Sequence, residues 1–96
     1  MDGGIRVPSV VRFPNQIPKD IEIGVPTTQM DMFTTISNLI QADIPQDRII
    51  DGKDIMPVLK QKRNVSPNEF LYHYCLNEVQ AMRYMPSTGN IYYRIK

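Results

Sequence analysis

Residues 30–40 read Met-Asp-Met-Phe-Thr-Thr-Ile-Ser-Asn-Leu-Ile, and this stretch decides the architecture of the first half of the chain. Its apolar side chains recur at spacings of three and four residues, which is the pattern of a helix with one apolar stripe. The predicted stripe consists of Met32, Phe33, Ile36, Leu39 and Ile40. We therefore predict one main helix over residues 31–41.

Polar residues and proline mark the two ends of this helix. We expect Asp31 to cap the N-terminus, because its carboxylate can accept hydrogen bonds from the free amides of the first turn and favourably meets the positive helix end. Thr28 is the alternative cap. Pro45 prevents any continuation of the helix. Further along, Asp51-Gly52 predicts a turn before the short apolar run of residues 55–59.

The segment that precedes the helix is predicted to be extended. Four of the eight prolines lie within residues 1–26, so no helix of useful length fits there. Residues 5–13 are rich in Val and Ile and predict a strand, with Pro8 at a bulge or a sheet edge. Residues 15–19 are expected to turn the chain.

The last third of the chain predicts a small antiparallel sheet. Aromatic and apolar residues dominate residues 69–76 and 80–84, and residues 91–96 alternate strictly. We predict three successive strands, joined by turns at residues 77–78 and 87–90. In the last strand, Ile91, Tyr93 and Ile95 are expected on one face, and Tyr92, Arg94 and Lys96 on the other.

Composition and charge exclude several classes of protein. Ninety-six residues form one domain at most, and 11 Lys and Arg against 10 Asp and Glu leave a net charge of +1, which argues against nucleic-acid binding. The basic cluster Lys60, Lys62 and Arg63 is interpreted as a solvated loop. Cys75 is the one cysteine, so an internal disulfide is excluded. Neither a signal peptide nor a transmembrane segment is recognisable.

Two groups of residues could carry chemistry, although a structural role explains both more simply. His73 and Cys75 are two apart on a predicted strand and could bind a metal or form a thiolate pair, but their aromatic neighbours favour packing. Four aspartates between residues 43 and 54 lack the ligand spacing of an EF-hand, so turns and caps are the preferred interpretation. Asn64-Val65-Ser66 matches an N-glycosylation acceptor.

Several ordered motifs resemble those of sulfatases. Asp2-Gly3-Gly4-Ile5-Arg6-Val7-Pro8, followed by Arg12-Phe13-Pro14, resembles the family's Glu-Gly-Gly-Ile-Arg-Val-Pro stretch that leads into Trp-Pro-Gly. Residues 30–35 resemble the family's Met-Asp-Val-Phe-Pro-Thr, and residues 51–59 resemble its Asp-Gly-x-Asp-Leu-x-Pro-Leu-Leu. Residues 45–48 and 69–75 narrow the resemblance to the branch that contains steryl-sulfatase and related arylsulfatases.

The resemblance implies a protein of the α/β class with an alkaline-phosphatase-like fold. This chain is then an α+β fragment, the C-terminal part of that fold, with one main helix and a small antiparallel sheet. The resemblance places residues 1–62 at the C-terminal end of the catalytic domain and residues 63–96 in a small antiparallel C-terminal subdomain. It also implies hydrolysis of aryl or steroid sulfate esters, with a formylglycine nucleophile and a calcium ion, and a location in the secretory pathway, in the endoplasmic reticulum or lysosome.

The reactive groups that the resemblance implies are not expected within these residues. Formylglycine forms from Cys-x-Pro-x-Arg in the family, and Cys75 lacks the proline and the arginine. The calcium ligands and the catalytic lysine lie upstream in family members. We therefore expect no catalytic, cofactor-binding or metal-binding residue here and no activity of the chain alone. The alternative is a small interaction or dimerisation protein derived from a sulfatase, which forms a homo-oligomer through an exposed apolar face.

Overall fold

Two helices and a three-stranded sheet make up this computed structural model, which describes residues 4–87 and the backbone of residues 92–95. In chain order the elements are α1 (Gln29–Leu39), α2 (Met56–Leu59), β1 (Phe70–Cys75), β2 (Glu78–Tyr84) and β3 (Tyr92–Ile95). The predicted α+β architecture, with one main helix and a small antiparallel sheet, is confirmed. The turn predicted at residues 87–90 lies largely outside the described residues, as do the side-chain faces of the last strand.

Helix α1 begins with a capping box, and the prediction that Asp31 is its N-cap is wrong. Thr28, the alternative, is the N-cap, with extended backbone at φ −123° and ψ 162°, while Asp31 occupies the third helical position. The amide of Thr28 donates to Asp31 Oδ2 at 2.7 Å, which is the well-formed arm of the box. The Thr28 hydroxyl is buried without a hydrogen bond of good geometry.

Both helices end in the same way, with a glutamine where glycine is usual. Gln41 follows α1 and Gln61 follows α2, and each has φ 56°. After α1, the amide of Ala42 donates to Ser37 O at 2.9 Å and that of Gln41 to Asn38 O at 3.3 Å. This pair of bonds defines a Schellman motif, so glutamine adopts the left-handed conformation that glycine adopts at lower cost.

The three strands pair in chain order, and each is antiparallel to the next. His73 pairs with Ala81 and Tyr74 with Val79, so Gln80 is an extra residue that forms a bulge in β2. The turn between β1 and β2 lies at residues 76–77, one residue earlier than predicted. Phe70 and Tyr84 are direct partners, and their stacked rings lie 4.9 Å apart, which stabilises this end of the sheet.

The strand predicted over residues 5–13 is absent, because this segment is extended coil without a neighbouring strand among the described residues. Val7 and Val10 are 74% and 96% exposed. An extended segment gains neither ladder hydrogen bonds nor apolar burial without a partner. The turn that follows it is confirmed, since the amides of Gln16 and Ile17 both donate to Phe13 O, at 3.2 and 3.0 Å.

Candidate functional site

The buried carboxylate of Asp31 is the centre of the best-organised polar cluster in the described part of the chain. Its side chain is 0% exposed. Oδ2 accepts from the amide of Thr28 at 2.7 Å, and Oδ1 accepts from the amide of Lys53 at 2.8 Å. The side-chain amide of Asn68 donates to both oxygens, at 3.1 and 3.0 Å. Three separate segments of the chain therefore meet at one carboxylate, whose donors are all neutral groups.

Two threonines on the same side of α1 extend this cluster to the loop before α2. Thr35 Oγ1 donates to Asp31 O at 2.7 Å and accepts from the amide of Ile55 at 3.0 Å. Thr34 Oγ1 donates to Gly52 O at 2.9 Å. Gly52 is buried against the first turn of the helix, where its missing side chain allows the two backbones to approach closely. The polar side of α1 thus faces the protein.

The apolar stripe of α1 lies on the opposite side and is exposed. Phe33, Ile36 and Ile40 are 49%, 48% and 66% exposed, and Leu39 is exposed as well. The periodicity correctly located the helix, and the structure leaves its apolar stripe largely uncovered by the described chain. The buried apolar core consists instead of Ile55, Val58 and Met85.

Two of the aspartates after α1, Asp47 and Asp54, accept hydrogen bonds in the described structure. Asp54 Oδ1 accepts from the amide of Met56 at 2.8 Å at the start of α2, and Asp54 Oδ2 accepts from Asn38 at 3.2 Å. Asp47 pairs with Arg48 through hydrogen bonds of 3.0 and 2.7 Å on the surface. The Arg48 guanidinium lowers the pKa of Asp47 below its ordinary range. Asp54 thus makes a local hydrogen bond beside α2, whereas the turn predicted at Asp51-Gly52 is absent and the N-cap of α2 is Ile55, without a side-chain cap hydrogen bond.

His73 and Cys75 have different surroundings on β1. His73 is half-buried on β1, and its Nε2 is enclosed without a hydrogen-bond partner among the described residues. Cys75, at the end of the same strand, is exposed.

Calcium, which the family resemblance implies, has no fitting site in the described ranges 4–87 and 92–95. No group of three or more His, Cys, Asp and Glu side chains in those ranges could hold a metal ion. The oxygens of the buried Asp31 carboxylate already accept hydrogen bonds from amide donors and are not open to a metal ion.

No described helix combines the length and apolar character needed to span a membrane.

Sequence reasoning missed Asn68, Thr35 and the close approach at Gly52. Asn68 is 8% exposed and lies 37 residues from Asp31. Nothing in the sequence around Asn68 indicates that it reaches a helix so far away. The signal that was available is the polar series Asp31, Thr34, Thr35 and Asn38, which recurs at helical spacing opposite the apolar stripe.

Comparisons with known proteins place the chain in a family. Residues 1–91 match the family described as N-sulphoglucosamine sulphohydrolase, C-terminal. Steryl-sulfatase from Homo sapiens is 46% identical over 88 residues, which cover 92% of this chain and 15% of the relative. Arylsulfatase D from Homo sapiens is 42% identical over 83 residues, covering 86% of this chain and 14% of the relative.

N-acetylgalactosamine-6-sulfatase from Sus scrofa is 35% identical over 71 residues, which cover 74% of this chain and 14% of that relative. The chain thus spans about one seventh of the length of the curated relatives it matches. These matches confirm the resemblance drawn from the motifs, and the chain belongs to the sulfatase family as a C-terminal domain related to steryl-sulfatase and the arylsulfatases.

Proposed function

We propose that these residues act as the C-terminal part of a sulfuric ester hydrolase that cleaves aryl or steroid sulfate esters. In this proposal the nucleophile and the calcium ligands belong to polypeptide outside the chain, and the 96 residues alone do not turn over substrate. Residues 1–62 then complete the catalytic domain and residues 63–96 form the small antiparallel subdomain. By family kinship the protein works in the secretory pathway, in the endoplasmic reticulum or lysosome.

The observation that carries the proposal is the reversed orientation of α1. A surface helix normally buries its apolar stripe and exposes its polar side. Here Asp31 and Thr35 are buried, whereas Phe33, Ile36 and Ile40 face away from the rest of the described chain. Burial of one such apolar side chain stabilises a fold by about 1.5–3 kcal/mol. The stripe therefore supports docking onto a larger apolar surface.

The exposed N-terminal segment supports the same view. Residues 5–13 have the composition of a strand, yet they lack a neighbour to pair with in the described structure. In the proposed whole protein this segment adds to the edge of a sheet that the remaining polypeptide supplies, and Val7 and Val10 then become buried.

The chemistry of the reaction also requires more than this chain offers. Cleavage of a sulfate ester needs a nucleophile, positive charge beside the developing anion and an acid for the leaving group, all in one water-excluding pocket. Arg6 and Arg12 lie on the exposed N-terminal segment, and His73 lies on the sheet. In this proposal the pocket and its nucleophile come from polypeptide outside the chain.

A second candidate is a small interaction or dimerisation protein derived from a sulfatase. The same apolar stripe favours it, because two copies could bury Phe33, Ile36 and Ile40 against each other. The two candidates differ in what covers the stripe. A charged residue in the stripe should disrupt binding in both cases, whereas it should have no effect if the stripe binds nothing.

Turnover and association of the purified chain test both candidates. Against an aryl sulfate, with and without calcium, we expect no turnover by the chain alone. Co-expression with a steryl-sulfatase polypeptide that lacks its own equivalent region is expected to restore turnover, and Ile36→Glu is expected to abolish the rescue. Ile49→Glu is the matched control, because Ile49 is 90% exposed on the loop between α1 and α2 and is not part of the stripe.

Turnover by the chain alone would refute the proposal of a silent C-terminal part. Sedimentation that shows a concentration-dependent dimer, lost in Ile36→Glu but kept in Ile49→Glu, would favour the dimerisation protein. A monomer that neither rescues turnover nor self-associates would count against both.

A further inference from the structure

Asn68 connects the sheet to α1 through a buried hydrogen bond. It lies two residues before β1, in the segment that joins α2 to the sheet. Its side-chain nitrogen lies 3.1 and 3.0 Å from the two carboxylate oxygens of Asp31. Both residues are buried, so water does not replace this donor in the folded chain.

The other donors to Asp31 come from the helical part of the chain. The amide of Thr28 belongs to the helix N-terminus, and the amide of Lys53 belongs to the loop that contains Gly52. Two of the three groups that donate to the carboxylate therefore belong to α1 and its loop. In the described residues, Asn68 supplies the donor that comes from the C-terminal side.

Asn68 is ordered by a local hydrogen bond and lies next to the first paired residue of the hairpin. Its backbone amide donates to Ser66 Oγ at 3.2 Å, and Ser66 is itself buried. The next residue, Glu69, accepts from the amide of Met85 at 2.7 Å, which extends the pairing of β1 and β2 by one hydrogen bond. Asn68 is thus separated by a single residue from the paired part of the β1–β2 hairpin.

We propose that the hydrogen bond from Asn68 to Asp31 is a latch that couples the opening of the β1–β2 hairpin to the helical part of the chain. Hydrogen bonds to a charged acceptor are among the stronger ones in proteins, and this one joins the segment before β1 to α1. When the latch is absent, the hairpin opens as a cooperative unit while α1 stays closed. This inference does not depend on the proposed catalytic role.

Amide hydrogen exchange of the full chain tests the latch in Asn68→Ala. We expect exchange of the β1 and β2 amides to accelerate about tenfold or more, whereas amides of α1 change by less than about twofold. Asn38→Ala is the matched control, since it removes the same side-chain group from an exposed bond to Asp54. It should leave exchange of the sheet unchanged. Asn68→Gln keeps the donor on a longer side chain and should give a smaller acceleration.

Three outcomes would overturn the latch. One is amide exchange that accelerates equally in α1 and in the sheet in both Asn68 variants, because this pattern indicates a general loss of stability. Another is sheet exchange in Asn68→Ala that equals that of the unmodified chain. The third is an effect of Asn38→Ala as large as that of Asn68→Ala. If Asn68→Ala fails to fold, the selective or uniform pattern in Asn68→Gln decides the question.

Discussion

Replacement of Gly52 by alanine is expected to destabilise the junction between α1 and the loop before α2. A Cβ at this position would lie 2.1 Å from Met30 O, 2.5 Å from Met30 C and 3.1 Å from the amide nitrogen of Asp31. All three are backbone atoms at the start of the helix, so no side-chain rotation can relieve the contact. Either the loop or the first helical turn must move.

The size of the effect follows from the displacement required. Carbon and carbonyl oxygen atoms in ordinary contact lie about 3.3–3.6 Å apart, so the backbones must separate by roughly 1 Å. Such a shift also strains the bond from Thr34 to Gly52 O and the bond from Lys53 to Asp31. Overpacking of this kind costs about 1–3 kcal/mol, and we expect about 3 kcal/mol here. A chain of this length has a total stability of about 5–14 kcal/mol.

Urea unfolding followed by far-ultraviolet circular dichroism measures this loss. With a denaturant slope of about 2 kcal/mol/M, the unfolding midpoint of Gly52→Ala is expected to fall by about 1.5 M. Gly24→Ala is the matched control, because a Cβ there meets nothing within 4 Å, and its stability should change by no more than about 0.5 kcal/mol. Equal midpoints for the two variants would refute the close-approach argument.

Three further predictions concern single residues. Gln41→Gly should raise the free energy of unfolding by about 1 kcal/mol, because glycine adopts φ 56° without strain; an unchanged or lower urea midpoint would contradict this. Thr35→Val should cost about 1–3 kcal/mol by leaving the buried amide of Ile55 without its acceptor, and Thr35→Ser, which keeps the hydroxyl, should lose less. The pairing of Asp47 with Arg48 lowers the pKa of the Asp47 carboxyl. Any stabilisation from the pair is therefore present above the ordinary pKa of 3.8 and is lost as pH falls through the lower pKa of the folded state. An NMR titration of the Asp47 carboxyl that is unchanged in Arg48→Gln would refute the pairing.

The elements were predictable where a local pattern determines them. Three- and four-residue spacing identified α1, and runs of aromatic and apolar residues, with strict alternation in the last run, identified the strands. The second strand was predicted over residues 80–84, whereas β2 begins at Glu78 and carries a bulge at Gln80. The strand predicted over residues 5–13 failed for a different reason. Strand composition is a local property, whereas a strand exists only with a partner, and none is present in the described chain.

Local spacing and ordered motifs were enough to predict the family, the α+β class, the helix with its two unlike sides and the succession of strands. They could not determine which side of α1 turns inward. That choice was made by tertiary contacts, because Gly52 lets the loop approach the polar side and Asn68 completes the buried carboxylate of Asp31 from 37 residues away. Periodicity reports that a helix has two unlike sides, but only packing decides which of them is covered.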